Sequence, residues 1–265
     1  MSADRTTLVV PSALRNSVAS VHGLHAAGSS REEVPLIWLP RRDSQLVVHV
    51  TSCGAVRANV SGPSTLAKYK FFVPGPFYVQ FIFQPDAARA VFGVPVHELA
   101  DRVVDLEQVW GRGAHELIER VAARREDPQA AVSAVEHLLA ERIRTGAGTR
   151  GARLARHATE ALATTDEPAN VRRLAGELGV SERSLRQAFL DHVGLSPKRY
   201  ARVARILHVV AEAGSASWAR LAAQHGFYDQ AHLNAEFRAF LRVTPSQYLA
   251  KQLPFVRPAL PATSA

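Results

Sequence analysis

The sequence predicts an α+β chain in two parts: a β-rich domain that ends in helices, then an all-α domain of two helix-turn-helix units joined by a long helix. Three observations predict it. Residues 34–83 are rich in β-branched and aromatic residues, broken by clusters of Gly, Pro and Ser. After Pro85 the apolar residues fall at three- and four-residue spacing, and no strand-like run follows residue 150. Finally, a stretch of 28 residues starting at Arg173 returns 47 residues later.

In chain order, strands are expected at "LVVHV" (46–50), "LAKYKFF" (66–72) and "FYVQFIF" (77–83), separated by "SGPS" and "VPGP". The last run alternates only in part, as expected of a strand covered on both faces. Helices are expected over 111–124, through Leu117, Ile118 and Val121, and over 128–145, through Val132, Val135, Leu138 and Leu139. On those two helices Leu117, Val121, Val135, Leu138 and Ile143 could pack internally or be shared with a second copy of the chain. "RTGAGTRGAR" (144–153) has three glycines and no large apolar residue, so it reads as a boundary. The expected domains are therefore residues 1–148 and 149–252, with 253–265 as a flexible tail.

Composition narrows the function. The chain has 265 residues, 47% hydrophobic and 21% charged, the balance of a globular protein. No apolar run reaches the roughly 18 residues of a membrane span, and no secretory signal pattern opens the chain, so a cytoplasmic protein with no membrane partner is expected. Cys53 is the only cysteine, which excludes an internal disulfide and a cysteine-rich zinc site. Of the net charge of +8, residues 150–265 hold +7 and residues 1–149 only +1. That asymmetry fits a nucleic-acid-binding half joined to a neutral one, or else a basic solvated surface. His22 and His25 form the only close histidine pair, and HExxH, GxSxG, GxGxxG and phosphate-loop patterns are missing. No catalysis, metal or cofactor is expected.

The repeat carries the chemistry. "RLAGELGVSERSLRQAFLDHVGLSPKRY" (173–200) aligns with "RLAAQHGFYDQAHLNAEFRAFLRVTPSQY" (220–248). Each begins a short helix with a small residue, Ala175 or Ala222, where a second helix can cross closely. A glycine four residues later, Gly179 or Gly226, ends that helix in the left-handed conformation. Ser181 or Asp229 then caps a second helix that buries Leu185 and Phe189, or Leu233 and Phe237, at i and i+4. Ser196-Pro197 and Thr244-Pro245 restart the chain as N-cap plus first-turn proline. A helix over roughly 197–213 would be about 25 Å long and could hold the two second helices near one DNA turn apart.

The paired units closely resemble the DNA-binding domain of the AraC/XylS family of bacterial transcription regulators. Ala222, Gly226-Phe227, Phe237, Thr244-Pro245 and Tyr248 carry the family's usual pattern. The resemblance covers residues 155–250, and more weakly 35–110, which look like the barrel- or cupin-like sensor part of some members. It implies a sequence-specific regulator, commonly an activator. The implied partners are double-stranded DNA, RNA polymerase, a small-molecule effector and a second copy of the chain. Control by abundance or by a protein partner, with no effector, is the alternative.

By resemblance, Arg183, Arg186 and Gln187 in the first unit and Gln230, His232 and Asn234 in the second match base-contacting positions. Arg can bind guanine O6 and N7 bidentately, and Gln or Asn can bind adenine N6 and N7. Ser181, Arg172, Arg199, Arg202, Arg205 and Arg238 are the candidate phosphate contacts. The sequence departs from the family pattern in three places. Arg242 stands where Gly is usual, and Ala231 and Ala235 stand where polar side chains are common. Glu236 would add a charge that phosphates repel. In the first half, Trp38, Phe71, Tyr78, Phe81 and Phe83 could line a ligand cavity or simply pack a β core.

Overall fold

The computed structural model describes residues 6–25, 33–51, 53–73, 75–124, 127–146, 148–163 and 170–256. Seven strands come first: β1 (Thr6–Leu8), β2 (Val18–His25), β3 (Val34–Trp38), β4 (Ser44–Val50), β5 (Val56–Ser61), β6 (Lys68–Phe72) and β7 (Phe77–Phe83). Then follow α1 (Ala88–Phe92), β8 (Val103–Asp105), α2 (Leu106–Trp110), α3 (Arg112–Ala122) and α4 (Pro128–Gly146). The helical half holds α5 (Arg150–Ala163), α6 (Val171–Glu177), α7 (Glu182–His192), α8 (Pro197–Ala211), α9 (Trp218–Gln224), α10 (Gln230–Leu241) and α11 (Pro245–Leu249).

The strands form an antiparallel six-stranded sheet in the order β1-β2-β7-β4-β5-β8, with β3 and β6 paired apart. Strand alternation sorts the two faces of the large sheet. Leu46 opposes Phe81, Val48 opposes Val79 and Val50 opposes Phe77. All six are buried, in one core with Val91, Phe92, Trp110, Leu117, Val121, Val135 and Leu139 from the following helices. The other face is more polar. Gln80 donates to Gln45 across β7 and β4 there, so the buried amides satisfy each other.

Two sets of residues that have two readings each in this half take the packed one. Leu117, Val121, Val135, Leu138 and Ile143 are all buried in the core of their own chain, so none is left over to meet a partner helix. The proposed cavity residues do not come together either. Phe81 and Phe83 belong to the core, Tyr78 lies on the opposite side of β7, and Phe71 packs on Phe255 at 5.4 Å. Trp38 has Lys70 Nζ at 5.5 Å over its ring and borders a pocket of about 20 Å³, room for a water.

The repeat is larger in the structure than it reads in the sequence. Thr149, Ser196 and Thr244 each cap a helix by accepting an N–H three residues on, and they stand 47 and 48 residues apart. Asn170 and Ser217 cap α6 and α9 in the same way. Each unit is thus three helices, α5-α6-α7 and then α8-α9-α10. Of the tail expected to be flexible, Leu253 and Phe255 pack on the core of the second unit. Phe255 meets Tyr69 edge-on at 5.9 Å, and Val256 N–H donates to the Tyr69 carbonyl at 3.0 Å. Residues 257–265 lie outside the described chain.

Arg242 ends α10 in the left-handed region, at φ 60 and ψ 11. A non-glycine residue there costs roughly 1–2 kcal/mol, partly offset in a glycine variant by greater freedom of the unfolded chain. Arg242→Gly is therefore expected to stabilise the protein by about 1 kcal/mol. Urea melting measures it, and an unchanged or lowered midpoint would show that this turn carries no strain.

Candidate nucleic-acid interface

The first recognition helix, α7, starts where the sequence places it. Gly179 has φ 65, and Val180 N–H donates to the Ala175 carbonyl at 2.9 Å, closing the turn. Ser181 Oγ accepts from Ser184 N–H at 3.1 Å, so its hydroxyl is first of all a cap. Leu185 and Phe189 are fully buried, and Phe189 meets Tyr200 edge-on at 5.6 Å. The opposite side exposes Arg183, Arg186 and Gln187 together. Arg186 pairs with Glu182 at 2.8 Å, and Gln187 donates to Asp191 at 3.0 Å. Contacts of this exposed i, i+4 kind are worth only a few tenths of a kcal/mol, so both side chains can turn to DNA cheaply.

The second helix, α10, is built alike and presents less. Gly226 has φ 67, Asp229 caps His232 N–H at 2.7 Å, and Leu233 and Phe237 are buried. Gln230 and His232 are exposed, Asn234 is half-buried, and the exposed Ala231 and Ala235 lie among them. His232 folds back on its own turn. Its Nδ1 accepts from Tyr228 N–H at 3.3 Å, and its ring lies 5.5 Å from Phe227.

The candidate phosphate contacts divide. Arg172 and Arg238 are exposed. Arg199 is exposed too, but it donates to the Thr65 hydroxyl at 2.8 Å, and Thr65 is itself held by Asp101 at 2.6 and 2.8 Å. Arg205 is not at the surface. It is 6% exposed, donates to the Gly226 carbonyl at 3.1 Å and lies 5.2 Å over the Phe227 ring, so it braces the turn of the second unit. Arg202 grips Glu236 through two bonds of 2.9 and 2.7 Å, and hydrogen bonding to that carboxylate raises its pKa further. The pair fixes α10 on α8 and neutralises the charge expected to repel phosphate.

Tyr228 joins this surface in the structure. It is 92% exposed, between the buried Phe227 and the cap Asp229, at the entrance to α10. An aromatic residue wedged between a core position and an N-cap has no core of its own to enter, and that order was readable.

Both units are tied to the β-rich half. Ala67 N–H donates to the Phe240 carbonyl at 2.8 Å, and the Tyr69 hydroxyl donates to the Leu241 carbonyl at 2.7 Å. Burial pushes the Tyr69 pKa up to about 12. Across the first unit, Arg89 pairs with Asp191 at 2.7 Å, the same carboxylate that holds Gln187. Beside it, His192 is 7% exposed, and burial, aided by the Arg89 charge, lowers its pKa. Among the described residues there is no cluster of three or more metal-ligating side chains, and no helix is long and apolar enough to cross a membrane.

Two capped, exposed recognition helices on one chain, joined by one helix, define a DNA-binding transcription regulator. Residues 174–251 match the family model described as "Helix-turn-helix domain". No curated protein matches the chain. Among solved structures, ToxT from Vibrio cholerae O395 is similar at 14% identity, covering 89% of this chain and 98% of its own, with a TM-score of 0.39. Unsaturated fatty acid-bound wild-type ToxT from Vibrio cholerae strain SCE256 is similar at 12% identity, covering 84% and 97%, with a TM-score of 0.41.

Proposed function

We propose that this regulator reads DNA unequally with its two units and activates transcription by placing RNA polymerase at the promoter. The observation that carries the reading is the contrast between the two exposed faces. Arg183, Arg186 and Gln187 are long donors on one face of α7, whereas α10 offers Gln230, a folded-back His232 and a half-buried Asn234 among alanines. Arg172 and Arg238 hold the phosphates, with Tyr228 adding a contact at the entrance to α10. Since α8 has 15 residues, about 22 Å of helix lies between α7 and α9, a span that suits successive major-groove segments once the offsets of the two recognition helices are added. Residues 1–148 form the regulating domain, and its ties to both units let it bias their docking when a small molecule binds.

A bidentate Arg–guanine pair supplies about 1–3 kcal/mol of discrimination. Arg186→Ala is therefore expected to weaken binding to a cognate site selected from random duplexes by about 10- to 100-fold, with little change on scrambled DNA. Asn234→Ala should lose less discrimination. Titrating both variants on both duplexes at fixed salt measures the ranking, which is wrong if Asn234→Ala loses more.

A further inference from the structure

The start of α10 holds one histidine in a single protonation form. Asp229 caps the helix by accepting His232 N–H at 2.7 Å, and His232 accepts Tyr228 N–H at its own Nδ1, at 3.3 Å. This is close to the exchange usually made by Glu or Gln at the third helical position. The same chain makes that exchange at α11, where the Gln247 side chain accepts Thr244 N–H at 2.9 Å. A backbone N–H can only donate, so Nδ1 must carry its lone pair. The imidazole is then neutral, with its one proton on Nε2. The buried Phe227 meets the ring edge-on at 5.5 Å and helps to hold its plane. His232 is exposed, and among the described residues its Nε2 has no partner.

A fixed Nε2–H is a donor and cannot accept. In the major groove, adenine and cytosine each present an amino donor, and thymine presents one acceptor beside a methyl group. Guanine alone offers two neighbouring acceptors, N7 and O6, and no donor on its own edge. We propose that His232 is a specificity-determining residue of the second unit, whose locked Nε2–H donates to N7 of a guanine in the second half-site. This rests on the DNA-binding reading above and names the base group that α10 selects. The first unit has no equivalent. The matching position, 48 residues earlier, is Ser184, whose hydroxyl is spent on the cap Ser181 at 2.9 Å. The second unit thus sets one pre-oriented donor against the long, mobile side chains of α7. A side chain already held in place loses little rotamer freedom on binding.

The test uses the full chain and a duplex selected from random sequence. In long-range proton–nitrogen spectra at about pH 8, where imidazoles are neutral, His232 is expected to show a bare Nδ1 and a protonated Nε2. Its signals are picked out from the eleven histidines by their loss in His232→Gln. An Nδ1–H form, or an average of the two forms, overturns the lock. Replacing single guanines of the second half-site with 7-deazaguanine removes N7 and leaves O6. One such replacement is expected to weaken binding about three- to tenfold in the wild-type chain and not in His232→Ala. His232→Gln keeps both the backbone acceptor and the outward donor, so it should keep the guanine. His232→Glu keeps the backbone acceptor but turns an acceptor outward, so it should bind better with cytosine in place of that guanine. Circular dichroism melts check that each variant folds. The readout is overturned if no guanine N7 matters to the wild type alone, or if His232→Glu still prefers guanine. Failure of the DNA-binding reading shows up separately, as a chain that selects no duplex at all, and the readout then falls with it.

Discussion

Raising the salt concentration from about 50 to 200 mM is expected to weaken DNA binding by roughly two to three and a half orders of magnitude. The estimate comes from counting cations that are free to meet phosphate. The helical half carries +7 in total, but its arginines are not equivalent. Arg205 is buried against Gly226 and Phe227, and Arg202 is locked to Glu236. Of the other cations, many of them exposed, Arg172, Arg183, Lys198 and Arg238 stand on α6, α7, α8 and α10, the helices of the two units, with Arg199 held by one hydroxyl. About four to six phosphate contacts give a log–log slope of about −3.6 to −5.4, since each contributes about −0.9. The individual arginines make the test sharper than the total. Arg172→Gln and Arg238→Gln should each flatten the slope by about 0.9. Arg205→Gln should lower stability and leave the slope alone. Binding titrations over a salt series measure all of these. A slope that flattens with Arg205→Gln and not with Arg238→Gln would reverse the assignment of surface and support.

Much of the helical half was legible because its signals are local. A glycine at φ 65 or 67, a capping Ser or Asp, and a Thr-Pro or Ser-Pro restart are set by a few neighbouring atoms, and each sits where its residue type puts it. The roles of Arg202 and Arg205 were not legible, because they depend on where Glu236 and Gly226 arrive after the chain has turned back. Helical spacing places both arginines on α8, but it does not show that the next unit closes over that face. The first half was harder for the same reason. β2 pairs with β7 more than fifty residues away, and no turn motif in the sequence announces that partner. Aromatic content suggested a cavity in β7. The alternation of burial along the strand shows instead that Phe81 and Phe83 fill the core while Tyr78 faces the other way. The apolar faces of α3 and α4 are plain in the sequence, and what covers them is their own sheet. Arg242 is the opposite case. It stands where the family pattern has Gly, and the backbone there has a positive φ.

The second large effect concerns the core that presents α10. Phe237→Ala is expected to cost about 3–5 kcal/mol, the usual loss when a buried aromatic is truncated and its pocket cannot collapse. Phe237 is fully buried, with Trp218 edge-on at 5.8 Å and Tyr248 at 5.6 Å. Those two rings belong to α9 and to the restart helix α11, so one side chain holds three helices of the unit together. A whole domain is stable by only about 5–15 kcal/mol, so such a loss brings the unit close to unfolding. The effect on DNA binding should be more specific than general unfolding. The C-terminal end of α10 is still tied to β6 through the Phe240 and Leu241 carbonyls, and α7 rests on a separate core of Leu185, Phe189 and Tyr200. Contacts made by the first unit should therefore survive, with cognate affinity falling toward what that unit supplies alone. Phe237→Leu, which keeps most of the volume, should cost less than half as much. Urea melts read the stability, and footprints of the bound duplex read which half-site is lost. A loss below about 1 kcal/mol for Phe237→Ala would mean the pocket closes over the gap. Loss of protection over both half-sites together would mean that the two units do not stand on separate cores.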